Sequence, residues 1–138
     1  MSALFAYGTL LFPDVLRLVA GRVPVGQPAA LDRFVRRRVV GEIFPAIVEG
    51  DDGDRVSGIL YSGLEQSEWD RLDRFEGELY ERREVVLDGR RAASTYVLGP
   101  SWRHRLGPEP WDPEAFARDH LDAFVARLAR ASDPRARE

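Results

Sequence analysis

Two residue types are missing altogether: the 138 residues contain neither cysteine nor lysine. Without cysteine there is no disulfide, no thiolate nucleophile and no cysteine-type zinc site, and a redox role loses its usual chemistry. Without lysine, all 20 basic residues are arginine, which excludes Schiff-base catalysis and the P-loop lysine. His104 and His120 are the two histidines, far apart and outside any metal-ligand spacing, so no metal site is expected. Neither a G-x-S-x-G elbow nor a full G-x-G-x-x-G fingerprint occurs, which removes serine-hydrolase and dinucleotide readings. No run of about 18 apolar residues could span a bilayer, and the start of the chain has no signal-peptide pattern. The expectation is a cytoplasmic protein without a membrane partner.

The length and the 44% hydrophobic content suit one domain with one sizeable core. That domain is placed at residues 1–131, followed by a charged tail, 132–138, expected to fray. A net charge of −3 provides no field for nucleic acid. Arg33 and the run Arg36-Arg37-Arg38 have no aromatic platform beside them, so they are read as a solvated strand face, not an RNA contact.

Hydrophobic spacing and turn residues outline the elements. Ala3 to Tyr7 reads as a buried strand broken by Gly8, and Pro13 opens a short helix that Gly21 ends. Residues 26–48 read as one or two strands with a bend. Val56 to Tyr61 reads as a strand in which Gly58 admits a close backbone approach. Trp69, Leu72, Phe75 and Leu79 recur at helical spacing, predicting a helix from an N-cap at Ser67 to about Glu76. Asp88-Gly89 between two strand-like runs predicts a type I′ hairpin. A Trp, Pro and Gly-rich connector then leads to Asp112-Pro113, the N-cap and first turn of one helix carrying Phe116 through Leu128.

Two stretches carry candidate chemistry. Tyr7-Gly8-Thr9-Leu10 follows the first strand, and its successive backbone N–H groups can form a nest for a carboxylate without any lysine; Tyr7 adds a hydroxyl. Glu76 lies between Phe75 and Gly77, where an aromatic neighbour can desolvate the carboxyl and tune it to about 6 to 7, the range of a general acid/base near neutral pH. Tyr80, Arg82 and Tyr96 are further candidates for the lining of the same pocket. Each has a structural alternative: a turn for the loop, a solvated acid for Glu76, and core or solvent-facing strand positions for the rest.

These residues also carry a resemblance. Phe5-Ala6-Tyr7-Gly8-Thr9-Leu10, Phe44-Pro45-Ala46, Val56-Ser57-Gly58-Ile59-Leu60-Tyr61, Leu72-Asp73-Arg74-Phe75-Glu76-Gly77 with Tyr80 and Arg82, and Thr95-Tyr96-Val97 stand in the order seen in one superfamily. The chain resembles the γ-glutamylcyclotransferase-like proteins, in the avirulence-induced-gene-like branch related to γ-glutamylamine cyclotransferases. The resemblance implies an α+β fold, a small mixed β-barrel flanked by helices. It also implies a small-molecule γ-glutamyl substrate cradled by the Tyr7 to Leu10 loop, Glu76 as the acid/base residue and no cofactor; a monomer or weak homodimer is expected. The implied reaction closes 5-oxoproline from a γ-glutamyl amine or peptide and frees the amine. The alternative on the same fold is a non-catalytic module that binds a small carboxylate or a partner.

Overall fold

In the computed structural model, residues 2–132 are described. Eight strands and four helices follow one another: β1 (Ser2–Ala6), α1 (Pro13–Ala20), β2 (Gly26–Asp32), β3 (Phe34–Val39), β4 (Pro45–Glu49), β5 (Arg55–Leu64), α2 (Gln66–Glu76), β6 (Tyr80–Leu87), β7 (Arg91–Leu98), β8 (Leu106–Pro110), α3 (Pro113–Asp119) and α4 (Leu121–Ser132). They form a five-stranded sheet in the order β2-β5-β1-β7-β6 and a three-stranded sheet in the order β4-β3-β8. β1 runs parallel to β7, and the other pairings in the large sheet are antiparallel.

The unbroken apolar run of β1 follows from its central place, covered on both faces. Alternate residues go to opposite sides, as strand geometry requires. Leu4 and Ala6 join Leu16, Trp69 and Leu72 in a core beneath the helices, while Phe5 and Tyr7 join Ile47 and Leu87 on the side of the smaller sheet. Gly58 on β5 is obligatory here, since a Cβ would stand 2.2 Å from the Ala6 carbonyl oxygen.

The α+β class agrees with expectation, but the two sheets are not closed into a barrel: β2 and β6 bound the large sheet, β4 and β8 the small one. Pro28 in β2 and Pro108 and Pro110 in β8 lack the N–H needed to extend a ladder, which suits strands at an edge.

Other boundaries also move. Residues 26–48 contain three strands, not one or two; Arg33 adopts a left-handed φ of 66° to turn β2 into β3. The connector after Gly99 holds β8, paired with β3. Helix α2 is capped by Glu65, not Ser67: the Glu65 carboxylate accepts from the Glu68 backbone N–H, and Glu68 accepts from the Glu65 N–H at 2.8 Å. The single helix expected after Asp112 divides at His120. The division lets Phe116 stay buried against Phe12 and Trp111 while Phe124 lines the cavity described below. Asp112 does cap α3, accepting from the Glu114 N–H at 3.0 Å. The β6–β7 hairpin turns through Asp88 (φ 51°) and Gly89 (φ 72°), both positive as a type I′ turn demands. Helix α4 runs through Ser132, and the rest of the expected frayed tail lies outside the described residues.

Candidate active site

A cavity of about 760 Å³ opens where the C-terminal ends of β1 and α2 meet the β3–β4 turn and α4. Tyr7, Gly8, Thr9 and Leu10 line one side. Glu76, Tyr80 and Tyr96 line it from α2, β6 and β7. Seven of the eight residues singled out from the sequence thus share one hollow. Arg82 stands apart, pairing with Asp73 at 3.4 Å and lying over the Trp69 ring, 4.6 Å from its centroid.

The loop after β1 is pinned in place. The Tyr7 hydroxyl donates to the Tyr96 carbonyl at 2.6 Å, and the Arg36 guanidinium donates to the Tyr7 carbonyl at 2.9 Å. A single 3-10 turn follows, in which the N–H groups of Leu11 and Phe12 donate back to Gly8 and Thr9. The N–H groups of Gly8, Thr9 and Leu10 precede that pattern and have no acceptor among the described residues. Gly8 packs so tightly that a Cβ would lie 3.0 Å from Pro45 Cγ.

Glu76 is the last residue of α2, and Gly77 at a φ of 70° turns the chain away immediately after it. The residue is half-buried and lines the cavity. No hydrogen bond or ion pair engages its carboxyl among the described residues. Burial without a partner pushes its pKa up to about 8, above the 6 to 7 expected from sequence.

The three tyrosines around it are already committed as donors. Tyr7 serves the Tyr96 carbonyl, Tyr80 the Pro45 carbonyl at 2.6 Å, and Tyr96 the Asp73 carboxylate at 2.7 Å. Burial raises all three phenols, and the charge of Glu76 adds to the rise in each. They form walls, and their protons are not offered to the cavity.

Several lining residues escaped the sequence reading. Ile43, Phe44 and Pro45 supply an apolar wall, and α4 adds Phe124, Arg127 and Leu128. Phe44-Pro45 carried a signal through its place in the resemblance; α4 carried only its apolar stripe. Arg36 is also not part of a solvated face, whereas Arg38 stays partly exposed and pairs with Glu109 at 3.3 Å. Arg36 reaches back to the loop beneath Trp111, 5.4 Å from that ring, and Arg38 donates to the Glu42 carbonyl at 2.9 Å; Arg37 of the run is exposed. Among the described residues no cluster of three His, Asp or Glu side chains is suited to hold a metal ion, and no helix is long and apolar enough to cross a membrane.

Residues 4–114 match the family model described as gamma-glutamyl cyclotransferase, AIG2-like. The chain belongs to this family. It is 33% identical over 134 residues to AIG2-like protein D of Arabidopsis thaliana, covering 91% of this chain and 85% of that protein. A second Arabidopsis thaliana protein, solved in solution, superposes with a TM-score of 0.69 at 27% identity, over 99% of this chain and 87% of that one. A solved gamma-glutamyl cyclotransferase shares the fold, with a TM-score of 0.62 at 17% identity over 93% and 86% of the two chains. The AIG2-like assignment covers both the Tyr7 to Leu10 loop and Glu76.

Proposed function

We propose that this AIG2-like protein is a γ-glutamyl cyclotransferase that releases 5-oxoproline and a free amine from a γ-glutamyl amine or peptide. The observation that carries the reading is the unpartnered Glu76 carboxyl, sharing one cavity with three unclaimed N–H groups. The α-carboxylate of the γ-glutamyl group sits on the N–H groups of Gly8, Thr9 and Leu10. Glu76, as carboxylate, takes a proton from the α-ammonium, and the freed amine attacks the γ-carbonyl of the same molecule. The five-membered ring closes, Glu76 returns the proton to the departing nitrogen as the C–N bond breaks, and the ring nitrogen gives up its second proton, through the freed Glu76 carboxylate, to the released amine.

Because nucleophile and electrophile belong to one molecule, the protein has only to hold the attacking conformer and move a proton, and orientation alone is worth several kcal/mol. A site of backbone donors, tyrosine walls and one acid is sufficient for that. Ile43, Phe44, Phe124 and Leu128 leave an apolar continuation of the cavity for the leaving group. The test is mass detection of 5-oxoproline after incubation with a panel of γ-glutamyl amines and peptides. Product formed from at least one compound supports the reading. No product from any, together with thermal stabilisation by a small carboxylate, overturns it in favour of a binding module.

A further inference from the structure

Glu76 shares its cavity with three tyrosines, and none of their hydroxyls is bonded to it. Two of those hydroxyls are taken by backbone carbonyls, which no substitution removes. The third is taken by a side chain, Asp73, placed one turn before Glu76 on α2. Asp73 is itself flanked by Arg82, whose guanidinium lies over Trp69, and the Trp69 ring is 6.4 Å from that of Tyr96. Asp73, Arg82, Trp69 and Tyr96 therefore form a closed ring of contacts behind the cavity wall.

We propose that Asp73 is a positioning residue that holds the Tyr96 hydroxyl turned away from Glu76, leaving the Glu76 carboxyl free to exchange a proton with the substrate. A hydroxyl released from Asp73 would turn to the next anion it faces. A hydrogen bond to a carboxylate stabilises the charged form and makes it a weaker base. The inference rests on the role given to Glu76 above, but its test does not need turnover.

The groups facing Glu76 are Tyr7 beyond β1, Tyr80 on β6 and Tyr96 on β7, with Glu42 of the β3–β4 turn, Glu78 after α2 and Arg127 of α4 on the same cavity. Asp73 and Arg82 stand behind Tyr96. Substituting Asp73 changes both a charge and an acceptor, and the two effects have to be separated. Asp73→Asn removes the charge and keeps an oxygen acceptor; Asp73→Ala removes both.

The readout is the titration of the Glu76 carboxyl by NMR on carbon-13-labelled protein, the resonance being identified by its loss in Glu76→Gln. Relative to Asp73→Asn, Asp73→Ala is expected to titrate about one pH unit lower, the scale of one hydrogen bond to a charge. Adding Tyr96→Phe to Asp73→Ala is expected to restore the Asp73→Asn value. Equal titration in the two Asp73 variants, or a drop that survives Tyr96→Phe, overturns the proposal. Should Asp73→Ala not fold, Tyr96→Phe alone decides: an unchanged Glu76 titration supports the diverted hydroxyl, and a rise shows that Tyr96 already bonds Glu76. Absence of 5-oxoproline would count against the proposed reaction and leave these titrations untouched.

Discussion

The two ends of α2 each place a glutamate against the protein interior, and they treat it in opposite ways. At the start, Glu68 is only 4% exposed and saturated: it accepts from the Glu65 N–H and pairs with Arg22 at 2.7 Å. At the finish, Glu76 keeps its opening to the cavity and has neither a hydrogen bond nor an ion pair among the described residues, with its pKa pushed up to about 8. Burial therefore does not by itself separate a structural acid from a chemical one. A carboxylate whose oxygens are satisfied fixes a helix end, whereas one held from water without partners is available for proton transfer.

The largest effect that tests this contrast is on turnover. Glu76→Gln keeps the size and polarity of the side chain and removes the transferable proton. 5-Oxoproline formation is expected to fall by about two decades or more with the fold and ligand binding retained, as judged by initial rates and ligand-induced thermal shifts. Full activity in that variant would make the two glutamates equivalent.

The mirror substitution reads out in stability instead. Glu68→Ala opens the capping box and leaves Arg22 without its carboxylate, but Arg22 is half exposed and water recovers part of the loss. A decrease of about 2 kcal/mol is expected in denaturant unfolding, with kcat retained at temperatures where the variant is folded. A large drop in kcat with unchanged stability would reverse the assignment of roles.

The same helix shows what can be read from a sequence and what cannot. Glu76 between an aromatic and a glycine was legible, because its setting is local: Phe75 also lines the cavity, and Gly77 supplies the positive φ that ends the helix. The Asp88-Gly89 turn and the Asp112 cap were legible for the same reason. The start of α2 was not, since Ser67 looks the better cap until the reciprocal Glu65 and Glu68 bonds are seen. β8 was concealed by its prolines, which suggest a loop but are tolerated on an edge that pairs only with β3. Arg36 and the cavity face of α4 depend on tertiary packing: one reaches back to the Tyr7 carbonyl from 29 residues away, and the other folds over from the end of the described chain. Arg82 illustrates the converse, being close to the site in sequence and turned behind it in space.

The smallest effect concerns pH and stability, and it isolates Glu76. An unfolded chain ionises Glu76 near the ordinary value of 4.5, while the folded protein holds that proton to about 8. Between these values the folded state binds the extra proton, so the stability linked to Glu76 is fully present below the lower value and is lost as the pH rises through the higher one. Glutamine, neutral throughout, has no such loss. The Tm of Glu76→Gln is therefore expected to match that of the unmodified protein at about pH 4 and to exceed it by about 5 °C at about pH 9, the full linkage being reduced because the carboxyl is open to the cavity. Parallel melting curves across that range settle it. A gap that stays constant would mean that Glu76 ionises in the folded protein as it does in the unfolded one, and a carboxylate of that ordinary basicity would be poorly matched to take the proton of an α-ammonium near neutral pH.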